Sequence, residues 1–458
     1  MCLQSLVEAL YAIVWGAGPV AALVGVGIYF SFKLKFLQIW RLKLAMKCIG
    51  DPREESPAGG VAVSNFASLC TALAATLGTG NIVGVALAVS AGGPGAIFWI
   101  WCTSFFSMAT KYSEGFLAVK YRHINDQGEI SGGPMYYLEM GMKNRILARS
   151  FALLGAAVAL VGIGTMTQSS SIAAAAYALG MPIPLTAVLS TAAVAAIIVG
   201  GIYRIASFSE KIVPFMSVIY LGAAILVLIL KADCIPHTFY LIFSGAFLPE
   251  GIMGGGLGIT VMTAIQVGTS RGIFSHESGI GSSAIAAAVA GTNSPVKQGL
   301  VSMTGAFFSI VVCTMTGLVL VITNGDTSIF NISPAEMDGA ALTANAFGYG
   351  IGSLELGKYV VIFGIILFAF TTCVGWSYYG EKCVQYLWGR RAILPYKMVF
   401  LFFVFLGPFL KMGLIFMVAD IVIGLMAIPN IVGLIWLRRE IVEETALFFA
   451  KNKARHRP

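Results

Sequence analysis

Leu77-Gly78-Thr79-Gly80-Asn81 interrupts a run of apolar residues that is otherwise long enough to cross a membrane. Two glycines around a threonine destabilise a continuous helix there, since each glycine costs about 1 kcal/mol relative to alanine. A second interruption of the same kind stands at Ser270-Arg271-Gly272-Ile273-Phe274-Ser275-His276-Glu277-Ser278-Gly279-Ile280-Gly281. Non-helical backbone is tolerated at membrane depth only where it is buried in protein or lines a watery cavity. The two stretches therefore mark a pair of broken helices and the place where a polar solute would be held.

The chain around them is built for lipid. Only 11% of its 458 residues are charged and 58% are hydrophobic, against roughly 25% charged in an ordinary soluble domain. The apolar residues come in windows of about 20, the length that crosses a hydrocarbon core. Eleven spans are expected, at 9–31, 64–90, 94–119, 150–177, 182–201, 211–231, 254–290, 298–323, 357–388, 397–411 and 413–437. Gly92–Gly95 and Met181–Pro184 are among the turns that separate them.

The interrupted spans are the second and the seventh. Five is an odd number, so equivalent helices five spans apart run in opposite directions, the pattern of an inverted repeat whose halves each begin with a broken helix. The expected architecture is an all-α polytopic membrane protein of about eleven transmembrane helices. Residues 1–60 supply an extra N-terminal helix and a basic loop, 61–235 the first five-helix half, 236–437 the second, and 438–458 a basic tail.

The net charge is +8, but the Lys and Arg residues lie between the apolar windows, where they set topology and do not form a nucleic-acid surface. With the N-terminus outside, all of the 29 Lys and Arg residues except Lys231, Arg271, Lys358 and Lys411 fall in cytoplasmic segments, as the positive-inside rule requires. The loop 324–357 instead carries Asp326, Glu336, Asp338 and Glu355. An odd span count puts the C-terminus in the cytoplasm, and a bacterial inner membrane is the expected location. The first apolar stretch has no basic region before it and reads as a retained helix, not a cleaved signal. Eight cysteines without close metal-type pairing imply neither a disulfide nor a metal centre. His123 and His237 fall in loops, and no organic cofactor is expected.

At the first break, the N–H groups of Gly78, Thr79, Gly80 and Asn81 stand at a half-helix N-terminus, which attracts a carboxylate. Carbonyls released just before it, from Ala74 to Leu77, point oxygen at a cation. One zwitterion and one cation suit this arrangement. Close helix packing is the other reading of the glycines, although packing does not require the polar Asn81.

The second break holds Arg271, His276 and Glu277, ionisable groups that are costly inside a membrane. Either Arg271 and Glu277 pair with each other or with backbone and hold the unwound stretch in shape, or Glu277 meets the solute. A structural or gating role is the expectation. In the ninth span, the hydroxyls of Thr371 and Thr372 could complete an oxygen shell for sodium, or each could bond the carbonyl four residues earlier. Trp376 shares a helix face with Thr372. Gln168, in the polar run Thr165–Ser171, could bond a solute or join two helices.

The runs Gly78–Ala86, Ser131-Gly132-Gly133-Pro134-Met135-Tyr136-Tyr137 and Arg271–Gly279 are similar to the alanine/glycine:cation symporter family, in order and across nearly the whole chain. The resemblance implies a LeuT-type fold, two inverted halves of five helices, with one extra N-terminal helix. It implies substrate contacts at both breaks, Ser275 among them, with Gln168, Phe274 and Trp376 lining the pocket. Similarity to the wider LeuT-type architecture implies sodium between the backbone of Ala74 and Leu77 and the hydroxyls of Thr371 and Thr372, with Phe368 offering a carbonyl. His276 and Ser278 depart from the pattern, in which Asn and Ala are more usual.

The function expected is secondary import of a small neutral amino acid, alanine or glycine, coupled to sodium. Proton coupling through Glu277 or His276 is the alternative. A membrane enzyme has less support: His276-Glu277 opens like a zinc motif, but Ile280 stands where the second histidine is required. A channel also fits less well, because paired broken helices suit alternating access better than a continuous pore.

Overall fold

The computed structural model describes residues 3–52, 62–125, 128–248, 261–324, 339–410 and 412–455. Almost all of them are helical, apart from turns and a short antiparallel pair, His123–Ile124 with Ile130–Ser131. Among the described residues, seven helices are long and apolar enough to cross a bilayer, or up to eight when the bent pair Asn65–Thr76 and Thr79–Gly92 counts as one span. The chain is therefore a multi-pass membrane protein.

Several expected edges shift. The basic loop expected at Arg204–Lys211 lies inside one 30-residue helix, Gly201–Leu230. The chain turns just before it, where Gly201 takes φ +65°. The span expected at 150–177 is two helices, Arg145–Val161 and Met166–Tyr177, parted at Gly162–Thr165. A helix that the hydropathy pattern did not suggest, Ile235–Phe247, follows Cys234. Helix Gly339–Ile351 occupies part of the loop expected at 324–357, whose Asp326, Glu336 and Asp338 lie outside the described residues. The tail from Arg438 continues as helix Arg438–Arg455.

Lys111 corrects the charge reading. The charge reading counts it in a cytoplasmic segment, yet it sits within helix Gly95–Lys120 and is 2% exposed. Its long stem and single charge are enclosed by protein, which hydropathy alone cannot foresee.

Both interruptions are real breaks in the helical backbone. Helix Asn65–Thr76 is started by Ser64, whose side chain accepts from the Ala67 amide, a standard N-cap. It stops at Thr76, Gly78 is extended, and after a single 3-10 turn, Thr79–Asn81, the chain leaves at 69°. The second break is narrower than the sequence suggests. Arg271 to His276 remain helical within Val261–His276, and only Glu277–Gly281 unwinds before helix Ser282–Ala287. Residues 254–260 of that span lie outside the described residues. Gly279 and Gly281 have positive φ, and so does Glu277 at +50°, a conformation costing a non-glycine residue about 1–2 kcal/mol.

The breaks face each other across the core. Ser68 Oγ donates to Ala286 O at 2.9 Å, and Ser275 Oγ reaches Gly80 O at 3.4 Å. The 35-residue helix Leu354–Trp388 lies against the first break. Its Gly375 makes that approach possible, because a Cβ there would stand 2.8 Å from the Ala75 backbone nitrogen.

Candidate functional site

A cavity of about 50 Å³ lies where the two breaks meet. The first broken helix contributes Ala75, Thr76, Gly78, Thr79 and Gly80, and the second contributes Arg271, Phe274 and Glu277. Gln168, Thr372 and Asp420 add polar groups from three further helices.

The chain's own hydrogen bonds explain which groups point inward. Gly78 N donates to Thr76 O at 3.0 Å and to Asn81 Oδ1 at 3.2 Å, so the turn uses that amide. The amides of Thr79 and Gly80 have no acceptor among the described residues, and both residues line the cavity. A Cβ added at Gly80 would meet nothing within 4 Å. Two unpaired N–H groups at a half-helix N-terminus, open to a cavity, can bind a carboxylate. The Thr79 hydroxyl donates to Gln168 Oε1 at 3.4 Å, so Gln168 both faces the cavity and joins two helices.

Asn81, Ser275 and Trp376 do not line the cavity. Asn81 Nδ2 donates to Ser309 Oγ at 2.8 Å and to Ser275 O at 3.5 Å, so it clamps the breaks together. Ser275 Oγ donates to Arg271 O, one turn back, at 2.9 Å. Trp376 is completely buried and stands behind Glu277, to which its Nε1 donates at 3.3 Å. In a closed core, the face that a helix turns inward can still be filled by a neighbouring side chain before it reaches the cavity.

The oxygen groups expected to hold a cation are close together. Thr372 Oγ1 lies 3.2 Å from Ala74 O and 2.8 Å from Phe368 O, and Thr371 Oγ1 lies 3.0 Å from Phe368 O. Thr372 thus makes the back-bond to its own helix and also reaches across to the broken one. Leu77 O accepts no hydrogen bond among the described residues. Thr371 turns partly away, with Met216 Sδ at 3.7 Å. These are hard oxygen donors of the kind an alkali cation takes.

No ion pair joins Arg271 to Glu277, which removes the pairing considered for the unwound stretch. The Arg271 guanidinium lies 5.7 Å from the centre of the Phe274 ring. Glu277 instead accepts from Ser282 Oγ at 2.6 Å and from Trp376. His276 Nδ1 accepts from the Ser278 amide at 3.1 Å, and its Nε2 is buried with no partner among the described residues.

Behind Glu277 is a buried polar cluster that sequence reasoning missed. Lys111 Nζ donates to Ser283 Oγ at 2.6 Å. Glu114 Oε1 accepts from Gly279 N at 2.9 Å and from Asn430 Nδ2 at 2.8 Å, and Asn430 also donates to Gly279 O at 2.8 Å. The unwound second break is therefore tied through its own backbone to two other helices. Asp420 was missed as well. The usable signal was an ionisable residue inside an apolar span, which describes Lys111, Glu114 and Asp420 equally.

The model of the Sodium:alanine symporter family matches residues 1–458. The sodium/alanine symporter AgcS of Methanococcus maripaludis is 44% identical over 460 residues, which cover 99% of each chain. The probable sodium/glutamine symporter GlnT of Bacillus subtilis is 32% identical over 449 residues, covering 96% of this chain and 90% of its own length. A solved structure of a Na+-coupled sialic acid symporter is 16% identical, with a TM-score of 0.43, over 93% of this chain and 82% of that one. A match over all 458 residues, on a multi-pass helical chain with two broken helices around one cavity, means that this protein belongs to the sodium:alanine symporter family.

Proposed function

We propose that this protein imports a small neutral amino acid, alanine or glycine, together with sodium, by alternating access. The observation that carries the reading is the cavity shared by the two breaks. Unpaired amides of Thr79 and Gly80 stand on one side of it, and Thr372 lies 3.2 Å from Ala74 O beside it. The amides suit the substrate carboxylate. The oxygens of Ala74, Leu77, Phe368, Thr371 and Thr372 suit sodium, and Gln168 and Phe274 bound the substrate.

Size favours a small substrate. A water-sized group needs about 10–15 Å³ of such space, so a cavity of about 50 Å³ has room for only a few. Family membership and the sodium/alanine relative support sodium and alanine over the proton-coupled alternative. The sodium/glutamine relative makes glutamine the competitor to include.

The same reading has eleven spans, arranged as a LeuT-type inverted repeat with halves at 61–235 and 236–437 and one helix before them. It puts the protein in a bacterial inner membrane, with the N-terminus outside and the basic tail in the cytoplasm. What supports the repeat is that both broken helices meet at the cavity.

Uptake of labelled alanine into proteoliposomes, with and without an inward sodium gradient, tests the function. A zwitterion moving with one sodium carries one charge, worth about 2.3 kcal/mol per 100 mV. A tenfold sodium gradient adds about 1.4 kcal/mol. Together these support accumulation of roughly 500-fold. Uptake that ignores sodium and follows the proton gradient would overturn the coupling, and stronger competition by glutamine than by glycine would overturn the substrate.

A further inference from the structure

Trp15 stands in the two-residue gap between helices Leu3–Val14 and Ala17–Lys33, ahead of both proposed five-helix halves. It touches the two walls of the cavity at once. Its ring stacks on Phe274, with centroids 4.5 Å apart and planes at 29°. Its indole N–H donates to Asp420 O at 2.8 Å. Phe274 and Asp420 both line the cavity, on different helices, while Trp15 does not line it. The indole is therefore the layer outside that wall, and it is only 4% exposed.

The surroundings are shaped to receive it. Gly424 lies one helical turn beyond Asp420, and a Cβ there would come 2.2 Å from Val14 Cγ1 and 3.3 Å from Trp15 Nε1. The helix that follows Trp15 packs closely on its neighbours. Gly27 packs on the backbone of Phe106, where a Cβ would approach to 2.8 Å, and Leu23 reaches Gly279 at the second break.

We infer that Trp15 caps one mouth of the cavity, bridging the second broken helix and helix Met412–Trp436, and that the N-terminal helix must withdraw it before a solute can pass on that side. A rigid indole suits this role. It covers a large area at little rotamer cost, and one stack with one hydrogen bond is weak enough to break in each cycle. The cap fixes how fast the cavity is reached and leaves carboxylate recognition to the amides of Thr79 and Gly80. The identity of the solute rests on the proposed function; the cap itself does not.

The test is therefore independent of substrate. Ala419 lines the cavity beside Asp420 and is 2% exposed. The full chain carrying Ala419→Cys is purified and labelled with a trimethylammonium methanethiosulfonate, and the labelling of native cysteines in the parent chain is subtracted. Adding Trp15→Ala is expected to speed labelling at least tenfold. A rise of threefold or more supports the cap, and a smaller one overturns it. If Trp15→Ala does not fold, Trp15→Leu is read against the same threshold, because it keeps apolar bulk but loses the stack and the N–H. Alanine association and dissociation should both accelerate in the variant. If the wild type binds no alanine in sodium, the assigned cargo is wrong, and labelling still decides the cap.

Discussion

The indole of Trp376 donates to the carboxylate of Glu277 across 3.3 Å, joining helix Leu354–Trp388 to the unwound second break. This relationship makes Trp376 a support for the cavity wall, while Phe274 is part of the wall itself. Phe274→Ala should therefore relax the choice among glycine, alanine, valine and leucine, by on the order of 1–3 kcal/mol at most per extra methylene. Trp376→Ala should mainly cost stability, about 3–5 kcal/mol as for other buried aromatic truncations. Competition assays and thermal melts of the purified variants check both. The assignment fails if Trp376→Ala changes the ranking and Phe274→Ala does not.

The proposed sodium shell depends most on Thr372, the hydroxyl that reaches Ala74 O on the broken helix. Thr372→Val keeps the branched shape and removes that oxygen, and should raise the sodium concentration for half-maximal uptake about tenfold, on the order of one lost hydrogen-bond-like contact. Thr372→Ser should retain most of the affinity. Thr371→Val should do less, because that hydroxyl also turns toward Met216. Unchanged sodium dependence in both valine variants would remove this site.

Gly78 faces Thr372 closely, and a Cβ at Gly78 would lie 2.8 Å from the threonine hydroxyl. Gly78→Ala should thus weaken sodium and alanine binding together, because one added methyl pushes the shell and the turn apart. Isothermal titration of alanine at several sodium concentrations reads both effects. A variant with normal alanine affinity and normal sodium dependence would show that the turn has room to relax.

Lys111 is fully enclosed beside Ser283, to which its Nζ donates at 2.6 Å, in the buried polar region behind Glu277. Removing one partner from a buried polar cluster leaves the others unsatisfied, at a cost of about 1–3 kcal/mol or more. Lys111→Met should lower the melting temperature sharply, and Lys111→Met with Glu114→Gln should recover part of the loss. Additive losses in the double variant would mean that the groups do not interact.

Glu129, in the loop before Ile130–Ser131, gives a pH signature outside the spans. Burial pushes the Glu129 carboxyl up, but the hydrogen bond and charge of Lys382, 2.5 Å away, together with Gln385 and Asn125, hold it below its ordinary value of 4.5. A depressed carboxylate stabilises the fold above its unfolded pKa, and that contribution is lost as pH falls through the folded value. Melting temperature should therefore drop on acidification below about pH 4.5, and Glu129→Gln should flatten that part of the profile. An identical acid limb in the variant would exclude this pair as a contributor.

The membrane class and both interruptions were legible because they depend on local chemistry. Apolar windows have a length set by the bilayer, and Gly78, Gly80, Gly279 and Gly281 disfavour a continuous helix wherever it goes. Edges set by charge were read less well. The basic residues of Arg204–Lys211 continue a helix, since a helix can extend past an apolar window without any change in pattern. Lys111 counts with the cytoplasmic charge because hydropathy cannot tell a solvated lysine from one enclosed beside Ser283.

The sequence by itself determined that the chain crosses a membrane many times, that two of its helices break, and that unpaired backbone groups gather at those breaks. Tertiary packing decided which groups meet. It joined Thr372 to Ala74 across 298 positions of chain and put Trp376 behind Glu277. It also set Trp15 against Phe274 and brought Asp420 to the cavity. The physical reason is range. Helix breaking and hydrophobic length act over a few residues, whereas a binding cavity depends on the relative rotation of distant helices, which close contacts such as Gly375 on Ala75 set.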